Sequence, residues 1–207
     1  MIGIIDYGMG NLGSVENACR FIGAPARIVT TPGDLSGCDA MILPGVGAFG
    51  DCVSHMTRHG FLDPVRDWIA AKKPFLGICL GLQMLFEGSE ESPGVPGLGV
   101  FRGQVKKFRL ASSEFKVPQI GWNQMQMRQP ACPLFAGVPD NSFFYFVHSF
   151  YVEPEDAVIT AGTTDYGMVY TSAVWKDNVM AVQFHPEKSH DTGLRMLKNF
   201  AELGTGS

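Results

Sequence analysis

The sequence predicts one α/β domain over residues 1–207, with a mostly parallel central sheet, helices on both faces and an added layer of antiparallel strands. Three observations carry this. Up to residue 87, short apolar runs rich in β-branched residues alternate with segments of helical apolar spacing, the pattern of βαβ units around a buried parallel sheet. Beyond a Gly/Pro/Ser/Glu-rich break at 88–99, the apolar runs shorten and alternate, as strands of an antiparallel layer do. Finally, 207 residues with 45% hydrophobic and 17% charged residues suffice for a real core, burying roughly 70% of the unfolded surface, and exclude disorder.

Residues 2–6 read as a buried strand bounded by Gly8 and Gly10. Asn11 is placed to cap a helix that carries Leu12, Val15, Cys19 and Ile22 on one face and ends at Gly23 and Pro25. Strands follow at 26–29 and 40–43, the second stopped by Pro44-Gly45. Helical spacing covers 51–58 and 61–71. Residues 74–78 form another buried strand, followed by a helix through Leu82, Leu85 and Phe86. After the break, strands are expected at 103–108, 121–127, 143–148, 158–163, 168–174 and 179–183. A last helix spans 191–203, with Leu194, Leu197 and Phe200 inward. The sequence contains no internal repeat.

Charge and composition narrow the function. Sixteen Lys plus Arg against twenty Asp plus Glu give a net charge of −4, which argues against nucleic acid or an anionic membrane as partner. No apolar run approaches the ~20 residues of a membrane span. The first residues, Met1-Ile2-Gly3-Ile4-Ile5-Asp6, lack the basic region of a signal peptide. The five cysteines (19, 38, 52, 79, 132) are odd in number and contain no C-x-x-C, so neither a disulfide framework nor a zinc site is expected. A cytoplasmic protein without metal or cofactor is the expectation.

Three places carry chemistry. In Gly77-Ile78-Cys79-Leu80-Gly81 a strand runs into a helix through a sharp turn centred on a nucleophile type, the G-x-S-x-G elbow with cysteine for serine. The glycines make room for the tight backbone. The turn lifts the sulfur out of the sheet at a helix N-terminus, which favours thiolate, and frees the Leu80 N–H to face an oxyanion. A buried cysteine is more often a small hydrophobe; the paired glycines favour function at Cys79 and not at the other four.

The second place is His185-Pro186-Glu187, after an apolar strand. A thiol nucleophile needs a base, and the base an orienting group. Pro186 biases His185 toward an extended conformation, and in an extended segment residues i and i+2 share a face, so Glu187 can hold the imidazole. The triplet also resembles the H-x-E of zinc deaminases, but the P-C-x-x-C partner is missing. Alone it reads equally as a surface turn; with Cys79 it completes a Cys/His/Glu set. The third place, Pro44-Gly45-Val46-Gly47, follows a strand end, where ligands of α/β sheets bind. It suits a second oxyanion donor, and equally an ordinary strand–helix connection.

Gly8-Met9-Gly10-Asn11-Leu12-Gly13 also fits the G-x-G-x-x-G dinucleotide fingerprint, with Asp34 about 20 residues on. Against a nucleotide-binding oxidoreductase stand the charge of Asp6 before the first glycine, the position of Asp34 beyond Thr30-Thr31-Pro32-Gly33, and the lack of a substrate domain. A cysteine peptidase on a similar scaffold shares the nucleophile.

Together, Gly77-Ile78-Cys79-Leu80-Gly81-Leu82-Gln83 and His185-Pro186-Glu187 resemble the nucleophile and histidine–glutamate motifs of the class I (triad) glutamine amidotransferases. Within them, Ile5-Asp6-Tyr7-Gly8-Met9-Gly10-Asn11-Leu12, Pro44-Gly45-Val46-Gly47, Gly121-Trp122-Asn123 and His185-Pro186-Glu187-Lys188-Ser189 resemble the glutaminase subunits of imidazole glycerol phosphate synthases. The resemblance covers nearly the whole chain. It implies hydrolysis of L-glutamine to glutamate and ammonia, and transfer of ammonia to a cyclase subunit, a (β/α)₈ barrel, in a heterodimer of histidine biosynthesis. It implies Cys79, His185 and Glu187 as the catalytic triad. Leu80 with Val46 and Gly47 would form the oxyanion hole. Gly47, Gln83, His148, Ser149 and Phe150 would bind glutamine, with a backbone role at Phe150, where the family often has tyrosine. Met9, Asn11, Trp122, Tyr145 and Lys188 would face the partner, although core burial is a rival reading for Trp122 and Tyr145. It also turns 8–13 into a tight turn near that interface. A glutaminase subunit of another synthase, such as that making pyridoxal phosphate, shares most of these features.

Overall fold

The computed structural model describes residues 1–112 and 114–204; residues 113 and 205–207 of the expected domain lie outside them. Chain order is β1 (Ile2–Ile5), α1 (Leu12–Phe21), β2 (Ala26–Val29), β3 (Ala40–Gly45), α2 (Phe49–Arg58), α3 (Leu62–Ala70), β4 (Phe75–Cys79) and α4 (Leu80–Gln83). Then come β5 (Gly88–Ser89), β6 (Gly103–Lys107), β7 (Gln119–Met127), β8 (Ser142–His148), β9 (Phe150–Pro154), β10 (Thr160–Asp165), β11 (Val169–Lys176), β12 (Val179–Val182) and α5 (His190–Leu203).

The main sheet runs β2-β1-β3-β4-β12-β11-β10-β7-β8. Its first five strands are parallel and the rest antiparallel. The strands β1, β3, β4 and β12 are buried along their whole length, which explains their unbroken apolar sequences: a parallel strand covered on both faces has no polar side. Alternate residues feed two cores. Ile4, Ile42 and Leu76 pack with Val15 and Cys19 of α1 and Leu197 and Phe200 of α5. Ile5, Met41 and Phe75 pack with Phe49, Cys52 and Met56 of α2 and Val65 and Trp68 of α3.

This order positions the site. Strand β1 pairs with β2 on one side and β3 on the other, so the sheet grows in opposite directions from it and opens a crevice at the carboxyl ends. There Gly45 lies in register with Cys79, and Val182 with Ile78, so the chain beyond β12 emerges next to the end of β4.

Several expectations shift. The helix after Cys79 is a single turn, Leu80–Gln83, with Leu85 and Phe86 beyond it. Asn11 occupies the N-cap position of α1 but makes no side-chain cap bond. Val158 lies in a 3₁₀ turn and not in a strand. Gln183 falls just outside β12, and Leu194 is only half-buried. Strand β9 was not anticipated. It pairs with β6 and β11, and only Val152 of its five residues is buried.

Candidate active site

Cys79 has φ 55° and ψ −108°, a conformation costly for a residue with a Cβ and found where surrounding structure enforces it. The enforcement is visible at both glycines. A Cβ on Gly77 would lie 2.7 Å from the carbonyl oxygen of Gly81, and one on Gly81 would lie 1.9 Å from that of Leu43. The turn is thus pressed against β3, and only glycine fits at either flank. Because α4 has one turn, its field on Cys79 comes from the local N–H groups, not from the longer helix dipole expected from sequence.

His185 leaves β12 in an extended conformation (φ −102°, ψ 94°), and Pro186–Lys188 then form a 3₁₀ turn. Glu187 therefore reaches His185 across a turn, not along an extended segment. The outcome is nonetheless a hydrogen bond of 2.7 Å from His185 Nδ1 to Glu187 Oε1, with both side chains almost wholly buried, at 3% and 1% exposure. A carboxylate only accepts, so Nδ1 carries a proton and Nε2 is left for chemistry. Among the described residues Nε2 has no partner within hydrogen-bond geometry. Burial disfavours the imidazolium, but the sulfur of Cys79 beside the ring and the hydrogen bond and charge of Glu187 outweigh it and hold the His185 pKa up at about 10. The His185 N–H donates to the Tyr145 carbonyl (2.9 Å), and Ser189 Oγ donates to the His185 carbonyl (2.6 Å) and accepts from Tyr145 N–H (3.0 Å). The motif is thus tied to β8.

Cys79 and His185 line one cavity of about 310 Å³, within the range of small-ligand sites. Val46, Gly47, Leu80, Gln83, His148, Ser149 and Phe150 line it too. Glu187 stands outside, behind the imidazole. His148 has both ring nitrogens engaged, with the Phe150 carbonyl (2.8 Å) and the Tyr170 hydroxyl (3.2 Å). Burial pulls its pKa down to about 4, so it is a neutral wall residue. Gln83 donates its amide to the Phe150 carbonyl (3.2 Å) and to Gln183 Oε1 (3.1 Å).

Sequence reasoning missed Glu91, Pro118 and Val147, which also line the cavity. Glu91 matters chemically: its Oε2 accepts from the Phe49 N–H at the start of α2 (2.8 Å), which fixes a carboxylate on the wall. Its signal was a carboxylate twelve residues past the nucleophile in a Gly/Pro-rich stretch, which single-sequence reasoning reads as solvated loop.

Strand β3 runs on through Pro44 and Gly45 instead of stopping before them, and this end of it, with Val46 and Gly47 beyond, is gripped from below by the first loop of the chain. The Tyr7 hydroxyl donates to the Pro44 carbonyl (3.0 Å), and a Cβ on Gly45 would fall 2.5 Å from that hydroxyl. Gly47 has φ 96°, and a Cβ there would lie 2.7 Å from Met9 Cε.

Of the residues expected at a partner face, Asn11 and Lys188 are exposed, and Met9 and Tyr145 are half-buried. Trp122 is 45% exposed, which removes the core reading for it. Its ring stacks on His190 at 4.9 Å, meets Tyr145 edge-on at 6.0 Å, and Lys188 Nζ lies over Tyr145 at 5.9 Å. Asn11 shares a crevice with Pro44, His185 and Glu187. In the glycine-rich first loop, Asp6 Oδ1 accepts the Gly8 N–H (2.9 Å). A carboxylate therefore holds the amide that a pyrophosphate would need, and Asp34 bonds Thr31 in a 3₁₀ turn. The fingerprint is a closed turn.

Among the described residues no group of three or more His, Cys, Asp or Glu side chains could hold a metal ion, and no helix is long and apolar enough to cross a membrane. The glutamine amidotransferase class-I family matches residues 4–203. The chain is 49% identical over 207 residues to the imidazole glycerol phosphate synthase subunit HisH of Syntrophotalea carbinolica, covering 98% of this chain and 100% of that protein. It is 50% identical over 210 residues to the same subunit of Thermococcus kodakarensis, with 98% and 100% covered. A crystal structure of a glutamine amidotransferase shares the fold at TM-score 0.78 and 20% identity, over 99% of this chain and 98% of that one.

Proposed function

The chain belongs to the class I glutamine amidotransferase family, and from that membership we propose that it is the glutaminase subunit of an imidazole glycerol phosphate synthase. The observation that carries the chemistry is the convergence of the strained Cys79 turn and the buried His185–Glu187 pair on one cavity. Residues 1–207 form one amidotransferase domain, at work in the cytoplasm, where five free cysteines remain reduced.

The Cys79 thiolate attacks the side-chain amide carbon of L-glutamine. The carbonyl π pair moves onto oxygen, and the backbone N–H groups of Leu80 and of Val46 or Gly47 stabilise that oxyanion. Imidazolium His185 gives its Nε2 proton to the amide nitrogen as the C–N bond breaks, releasing ammonia and leaving a thioester. The now neutral imidazole takes a proton from water, whose oxygen attacks the thioester. The C–S bond then breaks, restoring the Cys79 thiolate and protonated His185, and glutamate leaves after its carboxyl proton passes to solvent. Glu187 holds the ring so that Nε2 faces the sulfur in both steps. Glu91, fixed on the wall, offers a counter-charge for the α-ammonium of glutamine. The backbone of Ser149 and Phe150 and the Gln83 amide hold the rest.

Ammonia passes to the cyclase, a (β/α)₈ barrel, docked over Met9, Asn11, Trp122, Tyr145 and Lys188. There it reacts with a phosphoribulosyl aminoimidazole carboxamide nucleotide, giving imidazole glycerol phosphate and aminoimidazole carboxamide ribonucleotide. Support comes from exposed Trp122 on β7, half-buried Tyr145 on β8 and exposed Lys188 on the turn that carries Glu187. The test is co-purification with the barrel subunit, followed by glutaminase assays with and without cyclase ligand. A stable complex whose glutamine hydrolysis rises with the ligand is expected. Failure to bind that barrel, with binding to a pyridoxal phosphate synthase subunit instead, would overturn the assignment.

A further inference from the structure

Gln183 lies two residues before His185, fully buried, with its backbone N–H fixed on the Ser172 carbonyl (2.8 Å). Its side chain sits between the nucleophile and Gln83. Nε2 is 3.6 Å from Cys79 Sγ, and Oε1 is 3.1 Å from Gln83 Nε2. Gln83 Nε2 in turn donates to the Phe150 carbonyl (3.2 Å).

An amide side chain can in principle face either way, so the direction of such a chain has to be set by something that cannot turn. The Phe150 carbonyl is that fixed end, because a carbonyl only accepts. Gln83 must offer it the NH₂ group. The same NH₂ group reaches Gln183, which must answer with its oxygen. The Gln183 NH₂ group is then left facing the sulfur. Near Phe150 the direction is doubly fixed, since its carbonyl also accepts from His148 Nδ1 (2.8 Å), a ring that burial keeps neutral.

We propose that Gln183 is a positioning residue for the nucleophile, donating an amide N–H to the Cys79 sulfur and so favouring its acceptor form, the thiolate, in the orientation that His185 needs. The proposal rests on Cys79 being the nucleophile. The physical reason is that a hydrogen bond to an ionised acceptor is about twice as strong as one to a neutral partner, and in a buried site no competing solvent weakens it. Gln183 does not line the cavity, whereas Gln83 does. Gln183 therefore touches the sulfur without touching substrate, whereas Gln83 meets both the cavity and Gln183.

The test uses Gln183→Met, which keeps bulk and removes the donor, and Gln183→Glu, which keeps shape and still accepts from Gln83 but turns a carboxylate oxygen toward the sulfur. Both are compared with wild type by thermal unfolding, by glutaminase kinetics in the assembled complex, and by the pH profile of Cys79 alkylation with iodoacetamide, followed on the Cys79 peptide by mass spectrometry. The expected result for Gln183→Met is an alkylation midpoint about one pH unit higher and a kcat about tenfold lower, with KM for glutamine little changed. Gln183→Glu should move the midpoint at least as far, and carries the test if Gln183→Met does not fold. Gln83→Met should raise KM and, because Gln83 sets the direction of Gln183, also move the midpoint part of the way. Alkylation profiles that overlay wild type in folded variants, with wild type active, would overturn the role of Gln183 and leave the glutaminase reading standing. An inactive wild-type complex would remove the reading and the proposal with it.

Discussion

Gly81 and Leu43 approach so closely that a Cβ on Gly81 would stand 1.9 Å from the Leu43 carbonyl oxygen. The obstacle is backbone of a central strand, paired on both sides, so it cannot swing away as a side chain would. Gly81→Ala should therefore cost about 3 kcal/mol or more, at the upper end of overpacking penalties, read by denaturant unfolding. A variant within ~0.5 kcal/mol of wild type, the range of ordinary surface changes, would show that the nucleophile turn is looser than described.

His185 and Glu187 should behave as one unit of unequal members. His185→Ala removes both proton transfers, worth roughly 10²–10⁴-fold in rate. Glu187→Gln can still accept at Nδ1 through its amide oxygen but lacks the charge, so it should cost less. Because Glu187 acts through His185, the double variant should be little worse than His185→Ala alone. Glutaminase rates of the three variants check this. Additive losses, or a larger loss at Glu187, would contradict the roles assigned.

His148 should make the fold acid-sensitive. Its folded pKa is pulled from 6.5 to about 4, first by burial. Between those values the unfolded chain binds the proton and the folded chain does not, so stability is full above about pH 6.5 and falls as pH drops toward about 4. His148→Gln keeps a donor for the Phe150 carbonyl and removes the titration. Its stability should decline less steeply than that of wild type across this window, as measured by denaturant unfolding at several pH values. Parallel declines would show that His148 is not the group responsible.

The Pro44–Gly47 loop should govern coupling to the partner. Pro44 and Gly45 are held at the end of β3 beside Ile78 and Cys79, and Tyr7 ties down the Pro44 carbonyl, so the part free to rearrange is Val46–Gly47. In the isolated chain the loop should rest without a second N–H toward the oxyanion, and partner plus ligand should supply it. Gaining one such donor is worth about 10²–10³ in rate. The glutaminase rate should rise from the chain alone to the complex to the liganded complex, and Tyr7→Phe should narrow that range by freeing the Pro44 carbonyl. Equal rates in all three states would refute the coupling while leaving the Cys79 chemistry intact.

What sequence made legible follows from how local each signal is. The strands β1, β3, β4 and β12 were readable because two-sided burial demands unbroken apolar runs. The nucleophile turn was readable because both glycines are steric necessities within five residues. Strand β9 was invisible because it starts one residue after β8 and buries only Val152. Glu91 and Gln183 were invisible for a different reason. Their meaning depends on partners far along the chain, Phe49 for one and Gln83 with Cys79 for the other, and no spacing rule connects them. The pairing of His185 with Glu187 was anticipated through an extended geometry, whereas the 3₁₀ turn begun by Pro186 brings it about.

The most direct test of the central claim is synthesis by the assembled complex carrying Cys79→Ala, fed with either glutamine or an ammonium salt. The account predicts that glutamine-dependent synthesis is abolished, while ammonium-dependent synthesis persists because that chemistry belongs to the partner. Normal use of glutamine by Cys79→Ala would contradict it.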